Sequence, residues 1–154
     1  MIYSLLAGQN KKSTKSGKNQ PKIWDRAYMI DIDGVICCHV DNEFPEKMKT
    51  VEELDGAREW VNSKYEEGNY ICFFTARLES HRKITETWLR EHGFRYHQII
   101  FCKPRGGNYH YIDHVRVHAT TFKGKFTPMV KLTHGIEVFD EVEEERQTGN
   151  TGAE

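Results

Sequence analysis

At 154 residues the chain has room for one domain with a real core and is too short for two ordinary ones. With 22 basic against 23 acidic side chains the formal charge is −1, so no global field draws it to nucleic acid or an anionic membrane. No apolar run approaches bilayer-spanning length, and hydrophobic content of 38% suits a polar-surfaced globule.

The opening Met1–Gly8 is mildly apolar, but its basic residues follow rather than precede it, which makes a poor signal peptide. Residues 9–22 then carry five lysines and no acid, so residues 1–22 read as a flexible basic arm. A domain is expected over 23–136, followed by an acidic, frayed tail over 137–154. Cys37, Cys38, Cys72 and Cys102 form no CxxC pair and read as buried, reduced thiols of a cytoplasmic protein.

Within the domain, strand and helix patterns alternate. Ala27–Ile32 is a short apolar run, as a buried parallel strand should be. Val51–Glu67 places Leu54, Ala57, Trp60, Val61 and Tyr65 at helical spacing, with Gly68 as the stop. Asn69–Thr75 reads as a second strand. Ser80 is placed to cap a helix over 81–92 that turns Ile84, Trp88 and Leu89 inward and ends at Gly93. Gln98–Cys102 reads as a third strand and Tyr109–Asp113 as a fourth. The order predicts an α/β fold, a Rossmann-like parallel sheet sandwiched by helices with crossover connections.

Ligands of such sheets gather beyond the carboxyl ends of the strands. Those ends carry Asp31 and Asp33 with Gly34, then Thr75-Ala76-Arg77, then Lys103 with Arg105, then Asp113. Carboxylates crowded on one rim repel, and a divalent cation relieves that repulsion. Hard oxygen donors suit Mg²⁺, so Asp31, Asp33 and Asp113 are the candidate metal ligands. Asp31 at a strand tip is the candidate nucleophile toward phosphorus, and Asp33 the candidate acid and base. Thr75 and Lys103 would hold phosphoryl oxygens with backbone N–H groups near Asp33, Gly34 and Ala76. Arg77 and Arg105 are candidate substrate contacts, along with His39, Asp41, Glu43 and Asn108.

Read together, the segments DIDGV, FFTAR, CKPRGG and YID resemble the four motifs of the haloacid dehalogenase superfamily of phosphatases across roughly residues 27–120. The resemblance implies a nucleophilic, metal-binding Asp31, an acid/base Asp33 that also ligates through its carbonyl, Thr75 and Lys103 on phosphate, and Asp113 on magnesium. More narrowly, the chain is similar to small capsule and exopolysaccharide biosynthesis phosphatases. That similarity implies a phosphomonoesterase working on a sugar phosphate or related metabolite of surface-polysaccharide synthesis. One departure stands out: the fourth motif usually reads Asp-Asp, and here His114 follows Asp113, which opens the alternative of a weak or inactive phosphate-binding module. The stretches after the first and second strands hold only a short flap over 35–50 and a single helix, which implies a haloacid dehalogenase-like core without a cap domain. A capless rim takes a large substrate or borrows a second copy of the chain to close over a small one. A nucleic-acid end phosphatase drawing on the lysine arm is the further alternative, disfavoured by the near-neutral charge. Expected partners are thus a small phosphate ester and a second subunit, with no membrane.

Cys37-Cys38-His39 lacks a second pair at zinc spacing, and Cys37 has no base to make it a nucleophile. His110, His114 and His118 would align only on a helix, and the segment reads as strand.

Overall fold

The computed structural model describes residues 21–126 and Glu137. The reading of residues 1–20 as an arm, and nearly all of that of 137–154 as an acidic tail, lies outside the described residues. Three strands, β1 (Ala27–Ile30), β2 (Tyr70–Phe74) and β3 (Gln98–Ile100), form one parallel sheet in the order β1-β2-β3. Ala27 pairs with Tyr70 and Ile30 with Phe73; Cys72 pairs with Gln98 and Phe74 with Ile100. Parallel neighbours need long connections, and these carry the helices: α1 (Ala57–Glu66) between β1 and β2, and α2 (Arg82–Glu91) between β2 and β3. The class is α/β.

Burial explains which runs became strands. The middle strand, β2, has Ile71, Cys72 and Phe73 at 1% exposure or less, as a run of apolar residues requires when both faces are covered. The expectation for β1 is corrected. It ends at Ile30, and although Ile30 is buried and Tyr28 packs edge-on against Trp60, Met29 is 54% exposed. The core gathers Ile30, Ile32, Ile36, Met48, Val61, Trp88, Leu89 and Phe94. Trp88 lies at its centre, stacked on Phe94, its indole N–H donating to the Val51 carbonyl at 3.0 Å.

Helix starts differ from the sequence pattern. α1 begins at Ala57 rather than Val51, because Gly56 turns the chain at a φ of 75°. The residues before it instead pair with the segment after β1: Leu54 N–H donates to Ile36 O and Cys38 N–H to Glu52 O. Gly68 and Gly93 end the two helices at φ values of 87° and 73°, as left-handed glycines do. Ser80 is not the cap of α2. It lies inside a 3₁₀ turn, Glu79–His81, which closes when Leu78 N–H donates to His81 Nδ1.

The fourth strand is not present. Tyr109–Asp113 is exposed and without strand pairing, its polar groups meeting near neighbours: Tyr109 hydroxyl donates to Pro104 O, and Tyr111 hydroxyl to Asp113. Residues 101–108, which include Pro104 and two adjacent glycines, separate the run from β3, and local hydrogen bonds replace the sheet ladder there. Among the described residues no helix is long and apolar enough to cross a membrane.

Candidate functional site

Three strand ends converge, and each delivers a polar side chain. One residue past β1, the Asp31 carboxylate accepts the Ile32 N–H at 2.8 Å through Oδ1. Its Oδ2 lies 3.2 Å from Lys103 Nζ, which arrives from beyond β3. Lys103 is brought back over the sheet by an unusual backbone. Cys102 has a φ of 59°, in the left-handed region where a non-glycine residue is strained by about 1–2 kcal/mol. Two hydrogen bonds hold that turn: Cys102 N–H donates to Arg77 O and Lys103 N–H to Thr75 O, both at 2.8 Å. The loops after β2 and β3 are therefore laced together, with Lys103 aimed at Asp31 and flanked by the rings of Phe74 and Tyr109.

Thr75, directly after β2, is fully buried, and its hydroxyl oxygen accepts the Arg77 N–H at 3.1 Å. The hydroxyl keeps its proton for another acceptor. Beside Lys103 opens a cavity of about 330 Å³ lined by Asn42, Glu43, Ala76, Leu78, Cys102, Lys103 and Arg105. Arg105 and Glu43, both candidate substrate contacts, line this cavity. Asn42 fixes the flap over this edge by donating its amide to the Ala76 carbonyl at 2.9 Å. His39 and Asp41 instead pair with each other on the exposed side of the flap.

Two expectations for substrate contacts are corrected. Arg77 is 1% exposed and points into the protein. Its Nε and Nη2 each donate to Asp33 at 2.8 Å, and Nη1 donates to Thr85 on α2 at 3.1 Å. Gly34, which allows the turn after Asp33 with a φ of 82°, gives its N–H to the Cys37 carbonyl at 2.8 Å, so that amide is not aimed at a ligand. Ala76, whose N–H is the other candidate phosphate contact, lines the cavity.

The acidic set is only partly gathered. Asp31 and Asp33 flank Ile32 at the end of β1, but Asp113 lies in the exposed segment after β3, bound to Tyr111 and to the His114 and Val115 N–H groups. The Tyr111 hydroxyl, with those amides, holds the Asp113 carboxyl below the usual carboxylate range. His114 lies 3.1 Å from the same carboxylate and is almost wholly exposed. Among the described residues no three His, Cys, Asp or Glu side chains stand close enough to hold one metal ion. By donor chemistry the Asp31 carboxylate and the Asp33 carbonyl fit a hard dication, while the Asp33 carboxylate is taken by Arg77. The third carboxylate is not brought to them.

Cys37 is buried beside Asp33, its Sγ 3.7 Å from Oδ1. Burial, with the nearby Asp33 charge, pushes its thiol up to about 12, so it is no nucleophile. Cys72 is likewise buried, whereas Cys38 and Cys102 are exposed, which corrects the uniform expectation for the four thiols. Sequence reasoning missed Asn42 and Cys102 as parts of the site. A cysteine carries no signal for a left-handed backbone, and an asparagine that braces a loop looks like any other.

Comparison of the chain with protein-family models, curated proteins and solved structures gives no match.

Proposed function

We propose that the chain is a phosphomonoesterase that forms an aspartyl-phosphate on Asp31, acting in the cytoplasm on a small phosphate ester. The observation that carries this reading is the 3.2 Å pairing of Asp31 with Lys103 at the carboxyl end of the parallel sheet, beside a cavity of about 330 Å³. A carboxylate at that end of an open α/β sheet is where such folds put their chemistry, and a lysine beside it suits an oxyanion. A cavity of that size has room for a small phosphate ester. The motif resemblance narrows it to a sugar phosphate or related intermediate of surface-polysaccharide synthesis, on a haloacid dehalogenase-like, capless core.

In this mechanism the phosphate sits against Lys103, with Arg105 and Glu43 facing the leaving group, and the buried Thr75 hydroxyl lies behind it, shaping the loop through its bond from the Arg77 N–H. An Asp31 oxygen bonds to phosphorus as the bond to the leaving oxygen breaks. The electron pair stays on that oxygen, which takes a proton from the Asp33 carboxyl. Asp33 then takes a proton from water, whose oxygen displaces Asp31 and frees phosphate. The Asp31 carboxylate and the Asp33 carbonyl would hold Mg²⁺, which would screen the nucleophile from the phosphate. A second copy of the chain over the open rim would exclude water.

The separation of Asp113 from the other two acids favours a second reading, a phosphate-binding module with little or no turnover. Phosphate release from p-nitrophenyl phosphate and a panel of sugar phosphates, with and without Mg²⁺, separates the two. Turnover in the wild type and its loss in Asp31→Asn support the enzyme. Stabilisation by phosphate without turnover on any substrate supports the module.

A further inference from the structure

The cavity beside Lys103 is lined by two further side chains of opposite charge, Glu43 from the flap and Arg105 from the loop after β3. Lys103 is paired with Asp31 at 3.2 Å, whereas among the described residues neither Glu43 nor Arg105 is in an ion pair. Both are held by their neighbours. Glu43 is the third residue of a turn closed by the Phe44 N–H on the Asp41 carbonyl at 3.0 Å. Just before it Asn42 is tied to the Ala76 carbonyl at 2.9 Å, and just after it Pro45–Lys49 forms a 3₁₀ turn that buries Met48 in the core. Arg105 follows Pro104, whose carbonyl accepts the Tyr109 hydroxyl. The lining also includes Ala76 and Leu78, the latter 45% exposed.

A carboxylate does not suit a cavity that takes phosphate alone. A phosphate monoester carries a charge of about −1.5 to −2 at neutral pH, and each anion on the wall raises the energy of that form. Two cations with no acid beside them would serve a plain phosphate better. The Glu43 carboxylate becomes favourable when the bound molecule carries a cation of its own, away from the phosphate. The Arg105 guanidinium has several N–H groups to give to hydroxyl oxygens. An apolar side chain such as Leu78 suits the C–H face of a sugar ring.

We infer that Glu43 selects leaving groups bearing a protonated amine, and that the substrate class is an amino-sugar phosphate whose nitrogen is free rather than acylated. Arg105 takes hydroxyl oxygens of the same sugar, and the phosphate stays with Lys103. This rests on the phosphate-ester reading of the cavity and narrows it. Acylation removes the charge from the nitrogen and adds bulk, so an N-acetyl sugar gives Glu43 no cation. A plain hexose phosphate lacks the nitrogen altogether.

The test compares kcat/KM on the 6-phosphates of glucosamine, N-acetylglucosamine and glucose for wild type and Glu43→Gln. At about pH 6.5, below the about 7.7–8.0 at which an α-amine titrates, the free sugar amine is charged. The wild type is expected to favour the free amine over both other esters by about 3- to 10-fold, the range of one charged, hydrogen-bonded pair at a partly open site. Glu43→Gln keeps the size of the side chain without its charge, and should bring the three values within about twofold of one another. Equal values in the wild type, or a preference that persists in Glu43→Gln, overturn the proposal and leave the phosphatase intact. No turnover of any ester by the wild type, or full turnover by Asp31→Asn, instead sinks the enzymatic reading. Isothermal titration of the same three phosphates into wild type and Glu43→Gln then decides the assignment by affinity. The same preference for the amine, lost in the variant, sustains it; equal affinities, or binding of none of the three, end it.

Discussion

Individual side chains at the rim differ less in type than in what holds them. Lys103 and Arg105 both carry a fixed positive charge, yet Lys103 is 10% exposed and paired with Asp31, while Arg105 lies on the open wall of the cavity. On the proposed mechanism, Lys103→Met removes the cation facing the transferring oxygens and leaves Asp31 uncompensated. It should lower kcat/KM by about 10²–10³, whereas Arg105→Met should act mainly on KM. Steady-state kinetics on one substrate checks both, and equal effects on kcat would contradict the assignment. The cysteines give a test free of the functional reading. Thiolate is the reactive form, and burial holds Cys37 and Cys72 as thiols. Brief iodoacetamide treatment of the folded protein at neutral pH should label Cys38 and Cys102 alone. Mass spectrometry would find all four labelled only after denaturation.

At the scale of elements, what was legible in the sequence followed from periodicity. β2 was readable because a run as apolar as Ile71–Phe74 belongs where both faces are covered, and α1 and α2 because apolar spacing and terminal glycines agree. Two of the misreadings, the start of α1 and the direction of Arg77, share one cause: hydrogen bonds to distant parts of the chain overrode a local pattern. Val51–Leu54 fits a helical stripe, but pairing with the segment after β1 claims it, and Gly56 then resets the direction. Asp33 and Thr75 lie just past strand ends, where the sequence order places them. Arg77 was misjudged because nothing in T-A-R says whether the arginine faces in or out; Asp33 and Thr85 decide that from 44 and 8 residues away. The Val51 carbonyl is one of these long-range anchors, since it accepts the buried Trp88 indole N–H. Trp88→Phe keeps most of the ring packing but leaves that carbonyl without its donor, and should destabilise the fold by about 1–3 kcal/mol. Urea unfolding followed by circular dichroism would read this as a lowered midpoint at unchanged slope.

Seen whole, the parallel sheet has two chemically different ends. Asp31, Thr75 and Lys103 mark the carboxyl end. At the amino end His97 is stacked between Tyr65 and Tyr70, with Trp24 edge-on to it and Lys22 over the Trp24 ring. The imidazole is part of the fold rather than an ornament, for its Nδ1 accepts the Ile71 N–H at 3.0 Å while its own main-chain N–H donates to Ile71 O. The neutral ring is the form that can accept that bond. Desolvation by the surrounding rings, with the nearby Lys22 charge, lowers the His97 pKa from its ordinary 6.5. The unfolded chain therefore binds a proton more readily than the folded one just below pH 6.5. Stability contributed by His97 is complete above that pH and declines as pH falls toward the lower folded-state value. Thermal midpoints between pH 7.5 and 5.5 should drop more for the wild type than for His97→Gln, whose amide can still accept from Ile71 but does not titrate. Equal drops in the two proteins would mean that the aromatic stack does not resist protonation of His97.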